Sequence, residues 1–196
     1  EEQDQYALRS QQLAAAAWKA GRFAEEIAPV EIKTRKGVEV FAADDHMRPD
    51  STLEGLAKLS AAFSKNGCVT AGNASGIVDG AAAILLASER AVKTHGLKPL
   101  GRLTHWATVG VEPSLMGMGP APATRRVLEK AGLSLNDLDL IEVNEAFAAQ
   151  YLSVEKELGL DRDRVNVNGG AIALGHPLGM TGTRLLLTLL LELRRR

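Results

Sequence analysis

One stretch of this chain restricts its folding more than any other: Val165 to Arg184, VNVNGGAIALGHPLGMTGTR. Gly169, Gly170, Gly175, Gly179 and Gly182, with Ala171 and Ala173, leave so little bulk that backbone can approach a ligand closely. Pro177 follows His176 and biases the histidine's backbone away from the helical region. A run of leucines and three arginines, Leu185 to Arg196, then reads as a helix. The pattern therefore predicts a loop that presents an imidazole just ahead of a helix N-terminus. A histidine held this way suits general-base chemistry near neutral pH. Taken alone, a histidine before a proline is more often only a loop residue.

The rest of the chain sets the frame. Its 196 residues, 45% hydrophobic, suffice for one substantial core or two small ones. With 23 basic and 24 acidic residues, no net-charge argument for nucleic acid or a membrane surface survives. The leucine-rich run Leu185 to Leu191 is too short to span a bilayer. The N-terminus is acidic and polar and does not read as a signal peptide. Cys68 is the single cysteine, so no internal disulfide and no cysteine-based metal cluster is expected, and a reducing compartment is the natural reading. Glu1 reads as a helix already under way, and Arg196 as a helix with no strand after it; both ends look cut from something longer.

In chain order, residues 1–20 predict an amphipathic helix with Tyr6, Leu13, Ala17 and Trp18 near one face. Val30–Lys33 and Val38–Phe41 alternate as a hairpin about Arg35-Lys36-Gly37. Ser51 or Thr52 caps a short helix through Leu59, and residues 64–79 are turn-rich. Ala81–Ala87, AAAILLA, predicts a strand buried on both faces, and Ser88 caps a helix to about Gly96. A strand is expected from Leu100 to Val111, a glycine-rich bend at Met116–Pro120, and a helix from Pro122 to Ala131. Leu138–Val143 reads as a strand, and Glu145–Leu158 as a helix. Alternation of this kind indicates an α/β fold.

A second stretch, IEVNEAFAAQ at 141–150, gives the histidine loop its context. Together, GGAIALGHPLG and NEAFA, in this order and separation, resemble the late signatures of the thiolase family of acyl-CoA acyltransferases. HMRPDSTLEGLAKL looks most like the 3-ketoacyl-CoA thiolases of fatty-acid breakdown. The resemblance covers essentially the whole chain. It implies a layered α-β-α-β-α fold present only in part. Residues 1–78 would form the loop domain that covers coenzyme A, residues 79–99 a strand and helix completing the N-terminal half, and residues 100–196 a truncated C-terminal domain. Apolar elements that expect partners outside the chain would leave it sticky or paired with another polypeptide.

By the same resemblance, His176 activates a nucleophilic cysteine and contributes to a thioester oxyanion hole. Asn144 holds a water in that hole; an asparagine between a strand and a helix also serves as an N-cap. Glu145 reads first as a charge complementing a helix dipole, with a polar site role left open, and Phe147 as packing. Ser75, in AGNASG, matches a serine that contacts the pantetheine arm of coenzyme A, and equally suits a turn. Arg48 suits the nucleotide end of coenzyme A, and Met116 a substrate pocket. No metal and no tightly bound cofactor is implied; coenzyme A or an acyl-CoA is the substrate.

The chain departs from the family at both catalytic cysteines. One lies before anything present here and the other after the final helix, and Cys68 matches neither. The expected activity is thiolysis of a 3-ketoacyl-CoA, or the reverse condensation, with this chain inactive alone. The alternatives are one subunit of a split thiolase, whose partner chain brings the nucleophile, or a non-catalytic CoA-binding or assembly module. The complete form is expected to be a dimer or tetramer. It would be cytoplasmic in a bacterium, and mitochondrial or peroxisomal in a eukaryote.

Overall fold

The computed structural model describes residues 1–196. Helix α1 spans Glu2–Lys19, followed by strands β1 (Val30–Thr34) and β2 (Gly37–Phe41). Helices α2 (Leu53–Ala57), α3 (Glu89–His95), α4 (Pro120–Ala131), α5 (Ala148–Leu158), α6 (Ala171–Leu174) and α7 (Leu178–Arg195) complete the order.

The core gathers where α1 lies across α5 and α6. Tyr6, Val143, Ala148, Tyr151, Val154, Val165 and Ile172 are buried together. The Tyr6 and Tyr151 rings stack with centroids 4.0 Å apart. Tyr6, Ala7, Ser10, Gln11, Ala14 and Ala17 form the inner face of α1. That face is small and partly polar, which corrects the expected one: Leu13 and Trp18 are only half-buried. Small side chains let α1 approach the histidine loop closely. A Cβ on Gly169 would sit 2.7 Å from the Ala14 Cβ, and Gly169 has φ +80°.

The hairpin forms in the expected place. Thr34 pairs with Gly37 across a two-residue Arg35-Lys36 loop, and Gly37 takes φ +131°, which suits a residue without Cβ. Thr52 caps α2 by accepting from the Gly55 N–H, and Ser88 caps α3 by accepting from the Ala91 N–H.

Three expected strands do not form. Ala81–Ala87 and Leu100–Val111 have no regular secondary structure and no strand pairing. Leu85 is 81% exposed and Trp106 70% exposed. A strand is defined by a neighbour's hydrogen bonds, and no strand of this chain pairs with either run. Leu138–Val143 is reduced to one parallel bridge, Ile141 to Val165. Beyond that bridge Asn166 turns to φ +48°, and its side chain takes over the ladder: Oδ1 accepts from the Val143 N–H at 2.8 Å, and Nδ2 donates to the Val143 carbonyl at 2.8 Å. The helix expected from Glu145 starts at Ala148, with Phe147 at its N-cap, so Asn144 is not a cap.

Candidate active site

Three signature stretches cross at one point. In the first, the Ala148 N–H donates to the Asn73 carbonyl at 2.9 Å, and both the N–H and the Oγ of Ser75 donate to the Ala146 carbonyl at 3.0 Å. The AGNASG segment is thereby laid along the chain from Asn144 to Ala148. Next, the His176 N–H donates to the Gly76 carbonyl at 2.9 Å. Gly175, at φ +89°, packs so tightly on Val78 that a Cβ there would meet its Cγ2 at 2.4 Å. The histidine loop is thus fixed to the same segment that carries Ser75.

These contacts bring His176 and Asn144 together, with Asn144 Nδ2 3.2 Å from His176 Nε2. The other ring nitrogen, Nδ1, lies 2.7 Å from the Thr181 Oγ1, and that hydroxyl donates to the Pro177 carbonyl at 2.9 Å. With its proton committed to Pro177, Thr181 is free to accept from Nδ1–H. The tautomer that follows leaves a lone pair on Nε2, which accepts from the Asn144 amide and is oriented as a base. Burial, and then the positive charge of Arg184, holds the His176 proton affinity below the ordinary histidine range. The neutral, basic form is therefore favoured. The Asn144 Oδ1 is buried without a partner.

Arg184, on α7, faces Glu142, two residues before Asn144. Arg184 Nη1 is 3.7 Å from Glu142 Oε2, and both side chains are nearly inaccessible. Burial, offset only in part by Arg184, pushes the Glu142 carboxyl up to about 8. Next to Asn144, Glu145 is fully buried and accepts from Tyr6 Oη, Ser10 Oγ, Asn166 Nδ2 and the Ile172 N–H. It does not stand at a helix N-terminus, because α5 begins three residues later; the helix-dipole role expected of it gives way to this hydrogen-bonded one.

Of the five residues singled out in the sequence, His176, Asn144 and Ser75 converge. The Arg48 guanidinium instead donates to the carbonyls of Asp45 and Met47 in its own loop, while its backbone N–H donates to Gln11 Oε1. Met116 is 71% exposed on a short 3-10 turn, Pro113–Met118. Neither makes a hydrogen bond to Asn144 or His176. Sequence reasoning missed Thr181, whose only signal was its place five residues after the histidine. It also missed Asn166 and Arg184, which are read only once the backbone is closed around them. No three of the histidine, cysteine, aspartate and glutamate side chains converge as metal ligands.

The comparisons with known proteins agree with this convergence of signatures. The family model for the thiolase N-terminal domain matches residues 1–90, and that for the thiolase C-terminal domain matches residues 97–196. The chain belongs to the thiolase family. It is 58% identical over 196 residues to the mitochondrial 3-ketoacyl-CoA thiolase of Homo sapiens, covering all of this chain and 49% of that protein. To the acetyl-CoA acetyltransferase of Paracoccus denitrificans it is 57% identical over 195 residues, covering all of this chain and 50% of that protein. The crystal structure of human mitochondrial 3-ketoacyl-CoA thiolase in complex with CoA superposes with a TM-score of 0.95 at 56% identity, over all of this chain and 48% of that one. The thiolase-like α/β fold, present in part, is therefore the fold of this chain. The chain spans about half the length of the curated relatives it matches.

Proposed function

We propose that this chain supplies the histidine–asparagine half of a thiolase acyl-transfer site, and that a nucleophilic cysteine outside residues 1–196 completes it. The observation that carries the proposal is the Asn144–His176–Thr181 chain, which presents Nε2 as a neutral base beside an amide donor. In the first step Nε2 takes the proton of the cysteine thiol. The thiolate attacks the thioester carbonyl of an acyl-CoA, and the carbonyl electron pair moves to oxygen. That oxygen forms beside the newly protonated Nε2–H and a water held by Asn144, both suited to a developing negative charge. Collapse expels CoA as the thiol, with a proton returned, and leaves an acyl-cysteine. The acyl group then passes to CoA in thiolysis, or to an acetyl-CoA carbanion in condensation.

Under this reading the substrates are coenzyme A and acyl-CoAs, including a 3-ketoacyl-CoA, and no cofactor is bound tightly. Ser75, Arg48 and Met116 are assigned to the pantetheine arm, the nucleotide end and the acyl pocket. The loop domain runs to residue 78, and the C-terminal domain begins at 100. The 196 residues alone do not catalyse thiolysis, and the working form is a homo-oligomer of a longer polypeptide or a complex with a chain carrying the nucleophile. The setting is the cytoplasm in a bacterium, or the mitochondrion or peroxisome in a eukaryote; of the relatives named above, one is mitochondrial and another comes from a bacterium.

The test is thiolysis of a 3-ketoacyl-CoA by a polypeptide of the relatives' length that contains this chain. His176→Ala should lower kcat by about 10²- to 10⁴-fold, and Asn144→Ala by about 10²- to 10³-fold. Wild-type rates in either variant would rule the assignment out.

A further inference from the structure

Outside the pair that faces substrate, the structure carries a buried carboxylate that the chemistry above does not use. We propose that Glu145 is a positioning residue for acyl transfer, its carboxylate acting as a buried clamp that helps hold Asn144 and His176 within hydrogen-bond distance. This rests on the proposed thiolase reading of the site.

The clamp is built from four neutral donors. Tyr6 Oη donates to Oε1 at 2.7 Å and Asn166 Nδ2 to the same oxygen at 3.0 Å. Ser10 Oγ donates to Oε2 at 2.7 Å and the Ile172 N–H at 3.1 Å. Glu145, Tyr6, Ser10 and Asn166 are all fully buried. Hydrogen bonds to a carboxylate are stronger than neutral ones, and all four converge on one side chain.

Each arm leads to a member of the pair. On one side, Asn166 also grips the N–H and carbonyl of Val143, so Asn144 lies between two anchored residues. On the other, the Ile172 N–H binds Glu145 directly, and the Gly170 N–H binds Ser10 Oγ at 3.1 Å. These amides open α6, and His176 follows its last residue by two. Gly170 marks how tightly the parts meet, since a Cβ there would lie 2.3 Å from the Glu145 Cδ. One carboxylate thus ties the backbones on both sides of the Asn144–His176 contact, in addition to the Ser75–Ala146 and His176–Gly76 hydrogen bonds.

Glutamine cannot replace it. Whichever way its amide turns, the NH2 faces either the Ile172 N–H or the Asn166 NH2, and neither partner can turn round: one is backbone and the other is locked on Val143.

The experiment compares wild type, Glu145→Gln and Ser10→Ala in the full-length polypeptide that contains this chain, by steady-state thiolysis and by crystallography. Glu145→Gln should lose on the order of 100-fold in kcat per folded molecule, as a misplaced reacting group does, with KM for the 3-ketoacyl-CoA unchanged. Asn144 Nδ2 and His176 Nε2 should part beyond hydrogen-bond distance. Ser10→Ala, which removes one donor from α1, should show a smaller loss of the same kind. Wild-type kcat in folded Glu145→Gln, or an Asn144–His176 contact kept at its present length, would overturn the positioning role. Should Glu145→Gln not fold, Ser10→Ala decides by the same readouts. Absence of thiolysis in the wild type would instead remove the proposed function, and the crystallographic distance would then decide the clamp by itself.

Discussion

Replacing Asn166 tests how the segment carrying Asn144 is held. Its side chain substitutes for a strand, giving an acceptor to the Val143 N–H and a donor to the Val143 carbonyl, both at 2.8 Å. In Asn166→Ala both backbone groups lose their partner in a buried place, at about 1–3 kcal/mol each. Alanine at φ +48° adds roughly 1 kcal/mol, because its Cβ crowds the following carbonyl. Water entering the vacated space recovers a part, so the net loss should be about 3–5 kcal/mol. Asn166→Gly relieves the backbone strain but restores neither bond, and should lose roughly 1 kcal/mol less. Asn166→Asp keeps the acceptor for Val143 N–H, but turns its second oxygen on the Val143 carbonyl and the Glu145 carboxylate; it should be the worst of the three. Urea unfolding of the polypeptide carrying each change gives the free energies, and hydrogen exchange at the Val143 amide reports the site itself. A loss below about 1 kcal/mol in Asn166→Ala, or an unchanged Val143 amide, would refute the side-chain ladder.

Glu142 gives a pH prediction with a definite sign. A carboxyl raised to about 8 in the folded state contributes stability that is complete below its ordinary value of 4.5 and is lost as pH climbs toward 8. Glu142→Gln should therefore flatten the decline in stability across that window, by on the order of a few kcal/mol at its upper end; parallel melting curves against pH for the two proteins would contradict this. Gly170→Ala forces a methyl into the Glu145 carboxylate and should both destabilise the fold and lower thiolysis, whereas wild-type activity and melting would show that the contact yields easily. Arg184→Gln removes the positive charge that disfavours a protonated His176, so the acid limb of kcat/KM should move to higher pH; an unmoved limb would mean burial alone sets it.

The histidine loop was legible because its residues act locally: proline directs the histidine, and glycines permit the close approach of α1 and Val78. The caps at Thr52 and Ser88 and the hairpin could be read for the same reason. Ala81–Ala87 reads as a strand whose partners lie elsewhere, and within these residues it is unpaired: an apolar pattern describes a strand's surroundings but does not supply its neighbour. The start of α5 was misplaced because Asn144 and Glu145 look like cap and first turn. In the structure Asn144 is turned to His176 and Glu145 to α1, and the helix waits until Ala148. Glu145 itself was ambiguous: its partners Tyr6 and Ser10 are more than a hundred residues distant in sequence, and no local pattern records that closure.

In the proposed reaction His176 serves a nucleophile lying outside residues 1–196. The direct measurement is to incubate the protein from its natural source with acetyl-CoA, quench in acid, digest, and locate the acetyl group by mass spectrometry. The expected product is an acetyl thioester on a cysteine outside residues 1–196, abolished or strongly slowed in His176→Ala. Acetyl on Cys68, or labelling indifferent to His176, would contradict it.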